Sequence, residues 1–136
     1  MCQGFNFFIL SISMIQSLFC IGAGSCLGGM ARYALSQAID SRFGGGQLPL
    51  GTLAVNVLGC FAIGIISAAL SRNGMGSDTW RLFLSVGFCG GFTTFSTFSN
   101  ETFQLLSSGH VATALAYVAS SIVIGVTMTM IAIKLI

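Results

Sequence analysis

The sequence predicts an all-α membrane protein with four transmembrane helices, the third of them broken within the membrane. The chain is 54% hydrophobic and only 6% charged, whereas a soluble domain carries roughly a quarter charged residues. Its mean hydropathy is +0.94. Five basic and three acidic side chains among 136 residues are too few to cover a water-soluble surface. The bilayer must therefore be the solvent for most of the protein.

Charges and turn residues divide the chain into four apolar stretches, each about as long as the ~20 residues that a spanning helix needs. We predict spans at residues 15–38, 49–70, 80–106 and 111–133. Asp40 and a run of three glycines follow the first span. Pro49, the only proline, suits the first turn of the second helix. Lys134 follows the fourth span.

Residues 1–14 are apolar but lack the positive segment and the small-residue cleavage site of a secretory signal. They are interpreted either as a helical extension of the first span or as a product of start-site choice, since Met14 is also a possible start. No functional role is expected for them. Residues 15–136 are predicted to form a single four-helix transmembrane domain.

The basic residues give little preference for one orientation in the membrane. With four spans, Arg72, Arg81 and Lys134 fall on one side, and Arg42 falls on the other with Arg32 near it. Basic residues normally accumulate on the cytoplasmic side, so this near balance leaves two interpretations. Either all copies insert one way with a weak bias, or copies insert both ways and pair antiparallel.

Small residues indicate where helices approach each other closely. Gly24 and Gly28 in the first span, and Gly87 and Gly91 in the third, are each four residues apart. Pairs at this spacing allow helix backbones to come together in membranes.

The string GFCGGFTTFSTFSNE at residues 87–101 is unusual inside a span. Gly90 and Gly91 weaken the helix there, and five hydroxyl residues follow within seven positions. Hydroxyl side chains can satisfy backbone groups at a local break. A broken helix within the membrane exposes carbonyls that bind cations and N–H groups that bind anions. The alternative is a kink whose hydroxyls are satisfied internally.

Phe95 and Phe98 are three residues apart and share a face of a continuous helix. Such a pair usually packs in a core. The edge of an aromatic ring is electropositive, however. Two rings turned edge-on beside hydroxyls would hold a small anion weakly, and conduction requires weak sites.

Several isolated polar side chains in the spans are further candidates. Glu101 is an acid within or near the end of the third span, and an intramembrane acid is a functional candidate by default. Asn56 either joins helices or lines a polar path. Arg32 could reach the interface and attract anions. Tyr117 and Ser121 place two hydroxyls on one face of the fourth span.

Other classes of function lack their sequence features. No nucleophile–base set or metal-ligand cluster indicates an enzyme. The five cysteines follow no zinc or redox spacing. A net charge of +2 does not suggest nucleic-acid binding. The chain has no nucleotide-binding loop and no chain of acids for proton relay, which favours passive conduction over pumping.

Three strings in the sequence resemble the pattern of a known family in their order and spacing. GGMARY at 28–33, GTLAVNVLG at 51–59 and GGFTTFSTFSNE at 90–101 are similar to the pattern of the Fluc (CrcB) fluoride channels. The resemblance covers about residues 15–136. It implies four-helix subunits in the cytoplasmic (inner) membrane that pair as an antiparallel, dual-topology homodimer with two pores. It also implies passive fluoride export that reduces fluoride toxicity.

The resemblance further implies roles for individual residues. A structural sodium ion at the centre of the dimer would be held by the backbone carbonyls of Gly90 and Thr93. Arg32 would lie at a vestibule. The fluoride pathway would be lined by the remaining candidates, which are Asn56, Thr94, Phe95, Ser96, Thr97, Phe98, Glu101, Tyr117 and Ser121.

Two other interpretations stay open. A small dual-topology exporter of the multidrug or guanidinium type is also a short four-helix protein, but it would be expected to carry an acid deep in its first span, and residues 15–38 contain none. A non-transporting assembly subunit would use its glycines and phenylalanines only for packing.

Overall fold

The computed structural model describes the backbone of residues 2–72 and 78–136, and side chains from residue 13 onward. In chain order its helices are α1 (Cys2–Phe43), α2 (Leu50–Arg72), α3 (the contiguous segments Asp78–Arg81, Leu82–Cys89 and Gly90–Phe92), α4 (Phe95–Ser107) and α5 (Val111–Leu135). Together α3 and α4 form the third span, so four spans are long and apolar enough to cross a membrane. The prediction of four transmembrane helices is confirmed.

Helix α1 extends beyond the predicted span of residues 15–38 at both ends, and its N-terminal part is the helical extension that was one of the two interpretations of residues 1–14. The helix continues past residue 38 to Phe43, although Asp40 and Arg42 are charged. The hydroxyl of Ser41 donates to the carbonyl of Ala38 at 3.0 Å, and the carbonyl of Asp40 accepts from the N–H of Gly44 at 2.8 Å. Polar residues can therefore prolong the helix where it leaves the membrane. At the other end, the backbone from Cys2 onward is helical.

The start of α2 is bonded to the end of α1. One carboxylate oxygen of Asp40 accepts from the backbone N–H of Gly51 at 2.9 Å, which satisfies one of the N–H groups left open in the first turn of a helix. Pro49 lies one residue before the helix, and its carbonyl accepts from Leu53 at 3.1 Å. A side chain at position 51 would overlap the Asp40 carboxylate.

Glycines form the contact between α1 and α3. A methyl group added to Gly24 or Gly28 would overlap backbone atoms of α3, and one added to Gly91 would overlap the backbone of Ser25. The predicted close approach of the two glycine pairs is confirmed, since they pack against each other's helices. The facing part of α3, Leu82–Cys89, is wound as a π-helix.

Helix α2 also packs along α5. The hydroxyl of Thr129 donates to the carbonyl of Cys60 at 3.0 Å, and a methyl group on Gly64 would meet Ala132. Val55 and Tyr117 are fully buried. At the start of α3, the exposed ring of Trp80 packs edge-on against Phe83, with ring centroids 6.1 Å apart.

Candidate functional site

The third span is interrupted at Thr93 and Thr94. Helix α3 ends at Phe92, Thr93 has φ −81° and ψ 158°, and Thr94 has φ −148° and ψ 117°. Both residues are extended, and α4 begins at Phe95. The break is narrower than the glycine-rich stretch suggested, because Gly90 and Gly91 are helical. Gly91 lies against the backbone of Ser25 on α1, whereas a methyl group on Gly90 would meet no atom within 4 Å.

The side-chain amide of Asn56 on α2 replaces the helical bonds that Thr94 has lost. Its Nδ2 donates to the carbonyl of Thr94 at 3.1 Å, and its Oδ1 accepts from the N–H of Thr94 at 2.8 Å. Because one bond needs a donor and the other an acceptor, the pair fixes the orientation of the amide. Asn56 thus joins two helices, as one sequence-based interpretation has it, and it also lines the groove beside the break.

The same break leaves carbonyls around the end of α3 without their helical donors, among them those of Gly90 and Thr93. In a regular helix, the N–H groups of Thr94 and Thr97 would donate to the carbonyls of Gly90 and Thr93, four residues earlier. Here the N–H of Thr94 donates to Asn56, and that of Thr97 donates to the hydroxyl of Thr94 at 3.2 Å. The family resemblance assigns a sodium ion to the carbonyls of Gly90 and Thr93, and that assignment stays a prediction.

Hydroxyls gather at the start of α4. The hydroxyl of Thr94 caps the helix by accepting from Thr97, and it also donates to the hydroxyl of Thr97 at 3.0 Å. The hydroxyl of Ser96 lies 3.3 Å from it. Helix α2 makes room for this turn, since a methyl group on Gly59 would overlap the side chain of Thr93.

Glu101 joins three helices. One carboxylate oxygen accepts from the hydroxyl of Thr52 on α2 at 2.8 Å, and the other accepts from the hydroxyl of Tyr117 on α5 at 2.7 Å. Glu101 is half-buried, whereas Thr52 and Tyr117 are buried. The sequence interpretation missed Thr52. Its spacing of four residues before Asn56, which puts both on one face of α2, could have identified it.

The two predicted pathway phenylalanines differ in burial. Their ring centroids are 5.9 Å apart with planes at 39°. Phe95 is 79% exposed in the single chain, whereas Phe98 is half-buried and packs against Tyr117 at a centroid distance of 5.1 Å.

An open groove of about 500 Å³, hereafter the main groove, runs along α2 beside the break. Seven of the predicted site residues line it, namely Asn56, Gly90, Thr93, Thr94, Phe95, Phe98 and Ser121. Tyr117 and Glu101 do not line it. Ser121 donates its hydroxyl proton to the carbonyl of Tyr117 at 2.7 Å, so its oxygen is the atom left to face the groove.

Arg32 lies at a second cavity of about 270 Å³, hereafter the Arg32 cavity, which it shares with Thr52, Val55, Thr94 and Thr97 among others. Thr94 lines both the Arg32 cavity and the main groove. Three of the predicted pathway residues line neither of them, namely Ser96, Glu101 and Tyr117.

Comparison with known proteins places this arrangement in context. Residues 19–133 match the model of the family described as CrcB-like protein, Camphor Resistance (CrcB). The chain is 45% identical over 111 residues to a fluoride-specific ion channel FluC of Leptospira interrogans, covering 82% of this chain and 87% of that protein. It is 46% identical over 112 residues to the protein of that name in Phocaeicola vulgatus, covering 82% and 91%. A third, from Serratia proteamaculans, is 41% identical over 123 residues, covering 90% and 95%.

Proposed function

The chain belongs to the CrcB family, and from that premise we propose that it is a fluoride-specific ion channel that lets fluoride leave the cell passively. The observation that carries the proposal is the broken third span, where Thr93, Thr94 and the two phenylalanines Phe95 and Phe98 line the main groove. The family is one of channels and not of enzymes, and the four spans make this a multi-pass membrane protein. We expect it to lie in the cytoplasmic membrane, the usual location of this family.

Fluoride requires a path that replaces its hydration shell with hydrogen-bond donors. Asn56 keeps one N–H of its amide beyond the bond to Thr94. Ring edges of Phe95 and Phe98 add weak positive potential without a fixed charge. Weak sites in series allow an ion both to enter and to leave. Release of internal fluoride would lower its toxicity.

A second copy of the chain is expected to cover the main groove. Phe95, which lines the groove, is 79% exposed in a single chain, and the groove is open rather than enclosed. Together with the near balance of basic residues, this exposure supports an antiparallel, dual-topology homodimer. Such a dimer has two equivalent grooves and therefore two pores.

A structural sodium ion is part of the proposal. Unwound carbonyls in membrane helices coordinate sodium, and the carbonyls of Gly90 and Thr93 have lost their helical donors. Gly90 is exposed in the single chain, so its carbonyl could meet the same group of a second copy. We expect sodium to raise the thermal stability of the dimer relative to a bulky organic cation. Equal stability and equal flux in both salts would remove sodium from the account.

Fluoride release from liposomes tests the function. The purified chain is reconstituted into vesicles loaded with fluoride, and efflux is followed with a fluoride electrode without a proton gradient. A channel releases fluoride rapidly under these conditions. Release only when a proton gradient is imposed would identify the exporter, and no release in either case would identify the assembly subunit.

A further inference from the structure

A third cavity continues the main groove toward the end of α2. It has a volume of about 260 Å³ and is lined by Ser67, Leu70, Ser71, Asp78, Arg81 and Ser85. We call it the Arg81 cavity. Ser85 lines both this cavity and the main groove, so the two spaces meet at its hydroxyl.

Helical spacing shows that the two spaces follow one seam between α2 and α3. On α3, Cys89 lines the main groove, Ser85 lines both spaces, and Arg81 lines the Arg81 cavity. Each of the three residues is about one helical turn from the next. On α2, Ile63 lines the main groove and Ser67 lines the Arg81 cavity, again one turn apart.

The three cavities lie in order along α2. Thr52 and Val55 line the Arg32 cavity, residues 56–63 contribute to the main groove, and residues 67–71 line the Arg81 cavity. From Asn56 to Ser71 the helix rises about 22 Å, a large part of the ~30 Å hydrocarbon thickness. The polar break is thus flanked by two cavities, each with one arginine on its wall.

We propose that the Arg81 cavity is the second aqueous mouth of the anion path, at the end of the main groove opposite Arg32. This inference rests on the proposed fluoride conduction. Arg81 attracts anions to the mouth. The hydroxyl of Ser85 donates a hydrogen bond to them where the mouth meets the main groove. Asp78 lies on the same wall and partly offsets the attraction, so an anion is drawn in without being held tightly.

Paired charge substitutions test the proposal through their dependence on salt. Arg81→Gln should lower fluoride efflux by about two- to fivefold at low ionic strength, and Asp78→Asn should raise it. Both effects should disappear in about 1 M impermeant salt, where the Debye length falls to roughly 3 Å. Arg81→Lys should restore efflux. A purely structural role for Arg81 would give a loss that salt does not remove.

Arg72→Gln is the matched control, because Arg72 ends α2 nearby but lines none of the three cavities. Equal effects of Arg72→Gln and Arg81→Gln, or effects of the same sign at positions 78 and 81, would overturn the proposal. Ser85→Leu should block efflux while the thermal unfolding temperature stays close to that of the unsubstituted chain. Undiminished efflux in that variant would also overturn it.

The unsubstituted chain separates this inference from the function on which it rests. If vesicles with the unsubstituted chain release no fluoride, the proposed function fails. If they release fluoride and neither Arg81→Gln nor Asp78→Asn alters the dependence of efflux on salt, only the proposal of a second mouth is wrong.

Discussion

Thr94 has left the helix, yet its N–H and its carbonyl are each bonded to the side-chain amide of Asn56, at 2.8 and 3.1 Å. Thr94 is buried, so these two backbone groups have little access to other partners. An unsatisfied polar group costs several kcal/mol in hydrocarbon. A single residue on α2 thus makes the extended conformation at the break tolerable.

We therefore expect a substitution of Asn56 to disturb the backbone at the break more than it disturbs the rest of the helices. We expect Asn56→Leu to lower stability by about 1–3 kcal/mol for each backbone group it leaves unsatisfied, and to abolish fluoride efflux. Asn56→Asp should be milder, since it keeps the acceptor for Thr94. Thermal unfolding in detergent and vesicle efflux measure both effects. Leu58→Ala, on the exposed side of the same helix, should change neither greatly, and an equal loss there would contradict the assignment.

Phe95 and Phe98 should affect conduction more than folding. Phe95→Ile and Phe98→Ile remove the electropositive ring edge but keep an apolar side chain, so fluoride efflux should fall while the dimer stays folded. Gel filtration and vesicle efflux give the two readouts. Undiminished efflux in both variants would reject a pathway along the aromatic edges. The burial of Phe98 against Tyr117 predicts a larger fall in stability for Phe98→Ile than for Phe95→Ile.

At the scale of elements, the two halves of the third span are held by different neighbours. Helix α3 is packed closely on α1 through glycines, whereas α4 is bonded to α2 and α5 through the carboxylate of Glu101. The break separates these two contacts. Each half can therefore be weakened by substitutions that leave the other half's contacts in place.

Adjacent glycines on α1 give a matched test of the first contact. A methyl group at position 28 would overlap the backbone of Phe88, whereas one at position 29 meets no atom within 4 Å. Gly28→Ala should destabilise the chain by about 1–3 kcal/mol through overpacking. Gly29→Ala should be close to neutral. Thermal unfolding of the two variants tests this expectation. Equal unfolding temperatures would mean that α1 and α3 are not held in this contact.

A double-mutant cycle tests the second contact. Tyr117→Phe and Thr52→Val each remove one hydroxyl that donates to Glu101. Bonds to a charged or strongly polar acceptor contribute about 1.5–3 kcal/mol. Because both donors serve one carboxylate, we expect the two losses in unfolding free energy to be non-additive. Strict additivity would mean that the two bonds are independent. Glu101→Gln should keep most of the stability, since its amide can still bond both hydroxyls.

The sequence predicts the elements better than it predicts their partners. Charges and glycines place the ends of the second, third and fourth spans within a few residues but miss the extent of α1, and the hydroxyl-rich string places the break. Its width was overestimated, because Gly90 and Gly91 remain helical, and Gly91 serves the packing against α1 instead. Thr52 was missed, since its role depends on Glu101, which is 49 residues away. The spacing of Thr52 from Asn56 shows that the two share a face of α2, but the partner of Thr52 is fixed only by how the helices pack.

At the scale of the whole molecule, much of the candidate site lies on an open face. Phe95 and Gly90 are exposed in the single chain, and both line the main groove. Lipid is a poor neighbour for the carbonyls and hydroxyls at the break, since it offers them no hydrogen bonds. A second protein surface is the covering that this chemistry favours.

Mapping the termini in cells tests whether that surface is an inverted copy. With antiparallel pairing, a reporter on the C-terminus should be found on both sides of the membrane in comparable amounts, because the basic residues give little bias. Added lysines beside Lys134 should shift the population to one orientation and reduce fluoride resistance. A C-terminus found on one side only, in cells that still resist fluoride, would exclude the inverted pair.

The edge-on contact of Trp80 with Phe83 has a practical consequence. Trp80 is the only tryptophan in the chain, so its ultraviolet emission is an intrinsic optical reporter of one place, next to Arg81. A fluorescence melting curve will therefore follow the beginning of the third span, and a local loosening around Thr94 will stay invisible to it unless the two regions open together.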